Sequence, residues 1–303
     1  MAGSPAGFKV AAAQYPLDWF GDFSAYEDKM SGWVSEATQA GAKLLVFPEY
    51  GAMELTSLGG KDVAGDLQRS IESLQNVLPR VDELSAALAR QHKVFICAGT
   101  APVVQNDGGY RNIARLFAPS GKTGTQQKRV MTRFERERWR ISAGEGLSVF
   151  DTVLGKIAIA ICYDAEFPLL VRAFVEAGAQ IVLVPSCTDT FAGYSRVKVA
   201  CAARALENQC YVVQAPTVGE TPWSPAVDMN VGSAGVFGPP DLGFPGDGVV
   251  AIGPLNAAEW IFGEIDLQRV EKARREGAVL NHAHWREQPG AGALPKADVI
   301  LLD

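Results

Sequence analysis

Short apolar strands alternate with amphipathic helices twice along this chain, and that double alternation narrows the fold more than any other feature of the sequence. Phe8 to Gln14 reads as a buried strand, and between Phe23 and Ala40 the residues Phe23, Tyr26, Met30, Val34 and Ala37 fall on one helical stripe that Gly41 ends. Lys43 to Phe47 is a second strand. A helix over roughly Leu67 to Gln91, interrupted at Pro79, leads to a third strand at Val94 to Ala98. Tyr110 to Phe117 and Thr123 to Val130 then read as a hairpin across Ala118-Pro119-Ser120-Gly121, which makes the sheet mixed. The plan repeats with strand Lys156 to Ile161, helix Leu169 to Gly178, strand Gln180 to Val184, helix Arg196 to Asn208 and strand Tyr211 to Gln214. Strands near Ser233 to Phe237, Gly248 to Gly253 and Trp260 to Ile265 precede a closing helix at Leu267 to Glu276. No composition break or flexible linker divides the chain, so the spacing predicts one α/β domain over residues 1–285, built from two similar strand–helix–strand halves. Residues 286–303, with Pro289, Gly290, Gly292 and Pro295 before Val299-Ile300-Leu301-Leu302, read as an extended tail that must dock on something, a partner subunit being one candidate.

Composition removes several classes of function. No apolar run approaches the roughly 20 residues that cross a bilayer, so no membrane partner is expected. The start Met1-Ala2-Gly3-Ser4-Pro5 lacks the charged and apolar regions of a secretion signal, and a cytoplasmic location is expected. A formal charge of −6 without a basic stripe argues against nucleic acid as a partner. The five cysteines, Cys97, Cys162, Cys187, Cys201 and Cys210, contain no CxxC pair, so neither a disulfide framework nor a zinc knuckle is suggested, and the odd number leaves room for a working thiol. Only three histidines are present, which restricts any mechanism that depends on imidazole.

Three segments carry a reactive side chain at the end of an expected strand, where ligands of α/β sheets bind. The run Gly155 to Pro168 is a buried strand that stops at Cys162 and turns into a helix. This is the logic of a nucleophile elbow, although a free cysteine is just as often a small buried hydrophobe. Glu49 follows Phe47-Pro48 directly after a strand. A half-buried carboxylate there suits a general base, and a solvated loop acid is the plainer reading of Glu49 alone. Gln126 to Trp139 is dense in charge, as a surface loop would be, yet a lysine such as Lys128 in a dry cleft would stabilise both a thiolate and an oxyanion. Gly121-Lys122-Thr123 lacks the leading glycine of a phosphate loop, and neither GxSxG nor HExxH occurs. His282-Ala283-His284 is more simply a surface pair than a metal site, so a carboxylate is the expected base for Cys162.

Taken in order, Glu49 after Phe-Pro, Lys128 before Arg-Val-Met-Thr, and Cys162 in Ile-Cys-Tyr-Asp resemble the carbon–nitrogen hydrolases of the nitrilase superfamily. The resemblance extends to Glu135, Trp139 and Gly144 after Lys128, to Phe167-Pro168 and Arg172 after Cys162, and to Ala203-Arg204-Ala205-Leu206-Glu207-Asn208 before Tyr211. It covers about Phe8 to Arg275. Thr132-Arg-Phe-Glu and Pro185-Ser-Cys-Thr-Asp resemble the branch often fused behind an acetyltransferase domain, which is not expected within this chain.

The resemblance implies a four-layer α-β-β-α sandwich with mixed sheets, a dimer or larger homo-oligomer, and a Glu49-Lys128-Cys162 triad that works without metal or organic cofactor. It casts Glu135 as the residue that orients Lys128 and contacts substrate, and the Tyr163 backbone N–H as an oxyanion donor. Nitrilases proper usually carry Trp-Glu after the cysteine. Tyr163-Asp164 here resembles the amidase-like branches, so a small linear amide is the expected substrate, with nitrile or N-carbamoyl hydrolysis and a non-catalytic binding protein as alternatives. Leu169 stands where many relatives have Glu, and the loop Ser186 to Tyr194 matches no substrate-defined branch. Trp139, Thr188, Asp189 and Tyr194 are candidate pocket residues.

Overall fold

The computed structural model describes residues 7–292 and 296–303; the N-terminal Met1 to Pro5 and the tail's Pro295 lie outside them. The first half runs β1 (Phe8–Pro16), α1 (Phe23–Gln39), β2 (Ala42–Val46), a 3₁₀ segment Gly51–Gly59, α2 (Lys61–Ala64), α3 (Leu67–Leu74), α4 (Leu78–His92) and β3 (Phe95–Val104). The buried face of α1 is the stripe Phe23, Tyr26, Met30, Val34 and Ala37, and the Asp22 carboxylate caps its start by accepting from the Ala25 N–H. Pro79 falls in the first turn of α4, the one place where a helix tolerates a residue without an N–H, so the interrupted helix is two helices.

The hairpin follows as β4 (Tyr110–Phe117) and β5 (Thr123–Gln127), then β6 (Ser148–Thr152), β7 (Gly155–Ile159), α5 (Pro168–Glu176), β8 (Ile181–Ser186), α6 (Phe191–Asn208) and β9 (Tyr211–Glu220). Helix α6 begins five residues before the expected Arg196, because the Thr190 hydroxyl accepts from the Gly193 N–H and caps it there. The chain closes with β10 (Met229–Asn230), β11 (Gly235–Phe237), β12 (Val249–Ile252), β13 (Glu259–Ile265), α7 (Leu267–Glu276), α8 (Asn281–His284) and β14 (Asp298–Leu301).

Each half centres on three parallel strands, β1-β2-β3 and β7-β8-β9, with antiparallel neighbours on both sides. The two sheets join where Tyr15 and Pro16 of β1 pair with Thr217 and Val218 of β9. Alternation along the strands then makes the layers. Ala11, Ala13, Tyr15, Leu45, Phe47 and Ile96 pack against the apolar stripes of α1 and α4. Val10, Ala12, Leu44, Val46, Phe95 and Cys97 face the other way, into the core shared with β6 to β9 and with α5 and α6. This is the mixed α/β single-domain fold expected, with the sheet nearly closed on itself. A glycine lets β5 pass close to β6: a Cβ on Gly124 would lie 2.3 Å from the Phe150 ring.

The tail supplies a strand to this chain's own sheet. Asp298–Leu301 runs parallel to Ser148–Asp151 of β6, and Leu302 buries its side chain beyond it. Strand β6, with its short Ser-Val-Phe-Asp-Thr run, gave no sequence signal strong enough to anticipate that pairing.

Candidate active site

Three chain segments that leave the C-terminal ends of strands bring Glu49, Lys128 and Cys162 to one cavity. Glu49 lies three residues beyond β2. Its turn is held from β3, where the Thr100 N–H donates to Pro48 O at 3.1 Å and the Thr100 hydroxyl accepts from the Tyr50 N–H at 2.9 Å. Lys128 is the first residue after β5, and its N–H donates to the Asn112 carbonyl of β4 at 2.9 Å. Cys162 follows β7 with φ of 49°, in the left-handed region that a residue with a Cβ enters at a cost, and opens a 3₁₀ turn, Cys162–Glu166, that leads into α5. Asp164 in that turn accepts from the Arg129 and Val130 N–H groups at 3.1 and 2.8 Å, which ties the nucleophile's turn to the residues behind Lys128.

Lys128 is the hub. Its Nζ donates to Glu49 Oε1 at 2.7 Å and to both Glu135 oxygens at 2.8 Å, with all three side chains buried. Glu135 opens a π-helical turn, Glu135–Trp139, a helical form that recurs at functional sites. Its carboxylate also accepts from the Thr132 N–H at 2.7 Å, from the Thr132 hydroxyl at 2.8 Å and from the Tyr50 hydroxyl. Glu49 accepts one further bond, from Asn112 Nδ2 at 2.9 Å.

Burial and neighbours set the protonation states. Burial pushes Glu49 up to about 7, against the pull of Lys128. Glu135 is buried too, but Lys128 and the Tyr50 and Thr132 donors hold it below the usual carboxylate range. Burial alone would pull the Lys128 ammonium down; Glu49 and Glu135 outweigh it and hold the group well above an ordinary lysine. The Cys162 thiol, whose Sγ lies 3.8 Å from the Cys187 carbonyl, is raised by burial and by the neighbouring Glu49, against the pull of Lys128, so it rests as a thiol.

The cavity has a volume of about 360 Å³, and Glu49, Lys128, Glu135, Cys162, Tyr163, Trp139, Thr188 and Asp189 all line it. Trp139 packs on the Tyr50 ring at 4.7 Å and donates from Nε1 to Leu67 O at 3.2 Å. The Thr188 hydroxyl is spent on Val231 O at 2.8 Å, which pins the wall segment Pro225 to Met229. Tyr194 does not line the cavity. The early start of α6 puts it on that helix's buried stripe, between Gly193 and Val197, where it packs against Phe191.

Sequence reasoning missed Tyr50, Asn112, Cys187 and the 225–229 wall. It also missed Thr132, although Thr132-Arg-Phe-Glu135 has the spacing of a capping box. The box forms, since the Glu135 N–H donates to the Thr132 hydroxyl at 3.3 Å while the Glu135 side chain accepts from the Thr132 N–H. Asn112 and the 225–229 segment carry no local signal, because only sheet pairing and the return of the chain after β9 bring them to the site.

The chain is similar to several known proteins. A family model described as carbon-nitrogen hydrolase matches residues 9–275. A probable hydrolase of Bacillus subtilis, YhcX, is 35% identical over 272 residues, covering 89% of this chain and 52% of the relative. The chain thus spans about half the length of that protein. A bifunctional nitrilase/nitrile hydratase of Nicotiana tabacum is 30% identical over 285 residues, 87% of this chain and 79% of the relative. Among solved structures, an amidase of Nesterenkonia from the nitrilase superfamily shares the fold with a TM-score of 0.64 at 20% identity, over 94% of this chain and 100% of the amidase.

Proposed function

Because the chain belongs to the carbon–nitrogen hydrolase family, we propose that it hydrolyses the C–N bond of a small linear amide through a thioester on Cys162, releasing ammonia or an amine. One observation carries this reading: Glu49, Lys128 and Cys162 line the same cavity, with Glu49 poised near neutral and Lys128 held as a cation. Glu49 takes the thiol proton as the sulfur attacks the carbonyl carbon. Negative charge collects on the carbonyl oxygen, where Lys128 Nζ and the Tyr163 N–H stabilise it. Tyr163 lies in the first turn of a 3₁₀ helix, whose leading N–H groups have no partner within the helix. Collapse of the tetrahedral intermediate breaks the C–N bond, and Glu49 returns its proton to the departing nitrogen. Water, deprotonated by Glu49, then attacks the thioester and frees the acid and the thiol. Glu135 keeps Lys128 aimed throughout.

Tyr163-Asp164 favours amide over nitrile, and the name of the Nicotiana relative keeps nitriles on the list of substrates to be tried. The decisive experiment offers wild type and Cys162→Ala a panel of linear amides, N-carbamoyl amines and nitriles. Ammonia release from amides by wild type, lost in the folded Cys162→Ala protein, supports the reading; release that survives the substitution overturns it. A trapped acyl adduct on Cys162, weighed by mass spectrometry, names the acyl group.

The same reading takes the protein as a cytoplasmic homo-oligomer. Leu169 before α5's buried stripe and Phe191, Val199 and Leu206 along α6 are exposed apolar side chains on the outer helical layer, a surface suited to a second copy. Light scattering on the purified protein measures the copy number directly.

A further inference from the structure

Glu49 accepts two hydrogen bonds, from Lys128 and from Asn112, and both end on Oε1. Asn112 is wholly buried in β4, opposite Pro102 of β3. Its backbone carbonyl accepts from the Lys128 N–H, so this one residue ties the backbone of the lysine to the side chain of the glutamate. The far end of its amide is different: Oδ1 is buried and has no partner among the described residues. Turning the amide over would set Oδ1 against a carboxylate oxygen, two acceptors face to face, so Glu49 dictates the orientation. Asn208 also leaves its Oδ1 without a partner among the described residues, so the orphan alone marks no role; what sets Asn112 apart is that its donor ends on the Glu49 carboxylate. A buried acceptor left unpaired destabilises, and an apolar side chain of the same shape avoids that cost. The geometry is that of a residue whose donor is used and whose acceptor is tolerated.

We infer that Asn112 is a positioning residue for the base: by occupying Oε1 together with Lys128, it leaves Oε2 to the Cys162 thiol and favours the ionised form of Glu49. The inference rests on the proposal that Glu49 is the base. The groups that face Glu49 are Lys128 beyond β5, Glu135 of the π turn, Tyr50 beside it, Cys162 of the 3₁₀ turn and Cys187 beyond β8. Of these Lys128 and the Cys162 thiol favour the carboxylate and Glu135 opposes it, and Asn112 adds a neutral donor from β4.

The test compares wild type with Asn112→Leu, Asn112→Ser and Asn112→Asp in the full chain, measuring kcat, KM and thermal midpoint from about pH 5.5 to about pH 9 on an amide the panel identifies. Removing the donor in Asn112→Leu is expected to lower kcat about tenfold, to leave KM within about twofold, and to move the acid limb of the rate profile up by about one pH unit. The thermal midpoint holds or rises, because the orphaned Oδ1 is gone. Asn112→Asp sets a second acid beside Glu49 and moves the limb further in the same direction. Asn112→Ser keeps a hydroxyl donor and recovers part of the rate. An acid limb that stays at its wild-type position in both the Leu and Asp variants overturns the inference. So does a loss of rate that follows thermal stability alone. Wild-type turnover abolished by Cys162→Ala secures the reading of the site separately, so an unmoved limb counts against Asn112 and not against the reaction.

Discussion

Two buried glutamates five residues apart, Glu49 and Glu54, start from the same chemistry and arrive at different ends. Each is almost fully buried, and each meets a lysine at 2.7 Å. Burial raises the proton affinity of both. The difference is in the second oxygen. Glu54 uses both: Oε1 accepts from the Tyr15 hydroxyl at 2.6 Å, and Oε2 from Lys29 Nζ at 2.7 Å and the Asp18 N–H at 3.0 Å. Its surroundings are closed, with Tyr15 edge-to-face with Phe47 and Lys29 lying 4.1 Å over the Tyr15 ring. Glu49 uses only Oε1 and faces a cavity of about 360 Å³ that holds a thiol. A buried carboxylate with both oxygens engaged pins a fold; one with a single oxygen engaged beside an open cavity is available to take a proton.

The largest expected effect breaks the pair apart by substitution at Glu49. Glu49→Gln keeps an oxygen for Lys128 and Asn112 and loses only the ability to accept a proton, so kcat falls by about a thousandfold, within the range assigned to a positioned general base. Stability moves the other way. The folded pKa of Glu49, about 7, lies above its ordinary 4.5, so the contribution of its protonated form is fully present below about pH 4.5 and is lost as pH rises through about 7. Between those limits wild type loses about 3 kcal/mol that the Gln variant keeps. Denaturant midpoints at about pH 5 and about pH 8 measure it: the Gln variant gains on wild type as pH rises, while ammonia release shows it inactive at both. With Glu49 as the proposed base, wild-type activity is expected to rise with pH through about 7, where its carboxylate ionises.

Next in size is Glu54→Leu. It leaves Lys29, the Tyr15 hydroxyl and the Asp18 N–H without their shared acceptor, and breaking a buried pair from one side costs about 3 kcal/mol or more. Asp18 still meets Lys29 at 2.7 Å and limits the damage. The folded fraction keeps its kcat within a few-fold. A variant with normal stability and no activity would erase the distinction between the two glutamates, since Glu54 would then belong to the chemistry.

That distinction was not legible in the sequence, although much of the rest was. The strand and helix plan follows from period alone, and α1 buries the five residues its stripe named. Glu49, Lys128 and Cys162 stood out because each sits just beyond a strand. Charge density around Lys128 suggested a solvated loop, and the chain resolves that by turning Lys128 and Glu135 inward while Arg133 and Arg138 stay exposed. The side chains that finish the site come from tertiary pairing. Asn112 reaches Glu49 only through the β3–β4 register, and the cavity wall at 225–229 is an irregular segment with no period to read. Glu54 looked like nothing in particular, because its partners Tyr15 and Lys29 lie 39 and 25 residues away.

The smallest effects sharpen the comparison best, because a single hydroxyl is removed from each network. Tyr15→Phe takes one of three donors from Glu54 and is expected to cost about 1 kcal/mol of stability with kcat unchanged. Tyr50→Phe takes one of the donors on Glu135, which retains Lys128 and both Thr132 contacts, so its effect on stability is about as small. Its effect on rate is the discriminating one. Glu135 aims Lys128, and a carboxylate freed on the Tyr50 side lets the ammonium drift from the oxyanion position, so kcat falls a few-fold while KM holds. Equal kinetic behaviour of the two phenylalanine variants would mean that the hydroxyl on Glu135 does no more than the one on Glu54, and that Lys128 is aimed by Glu49 and the backbone of β5 alone.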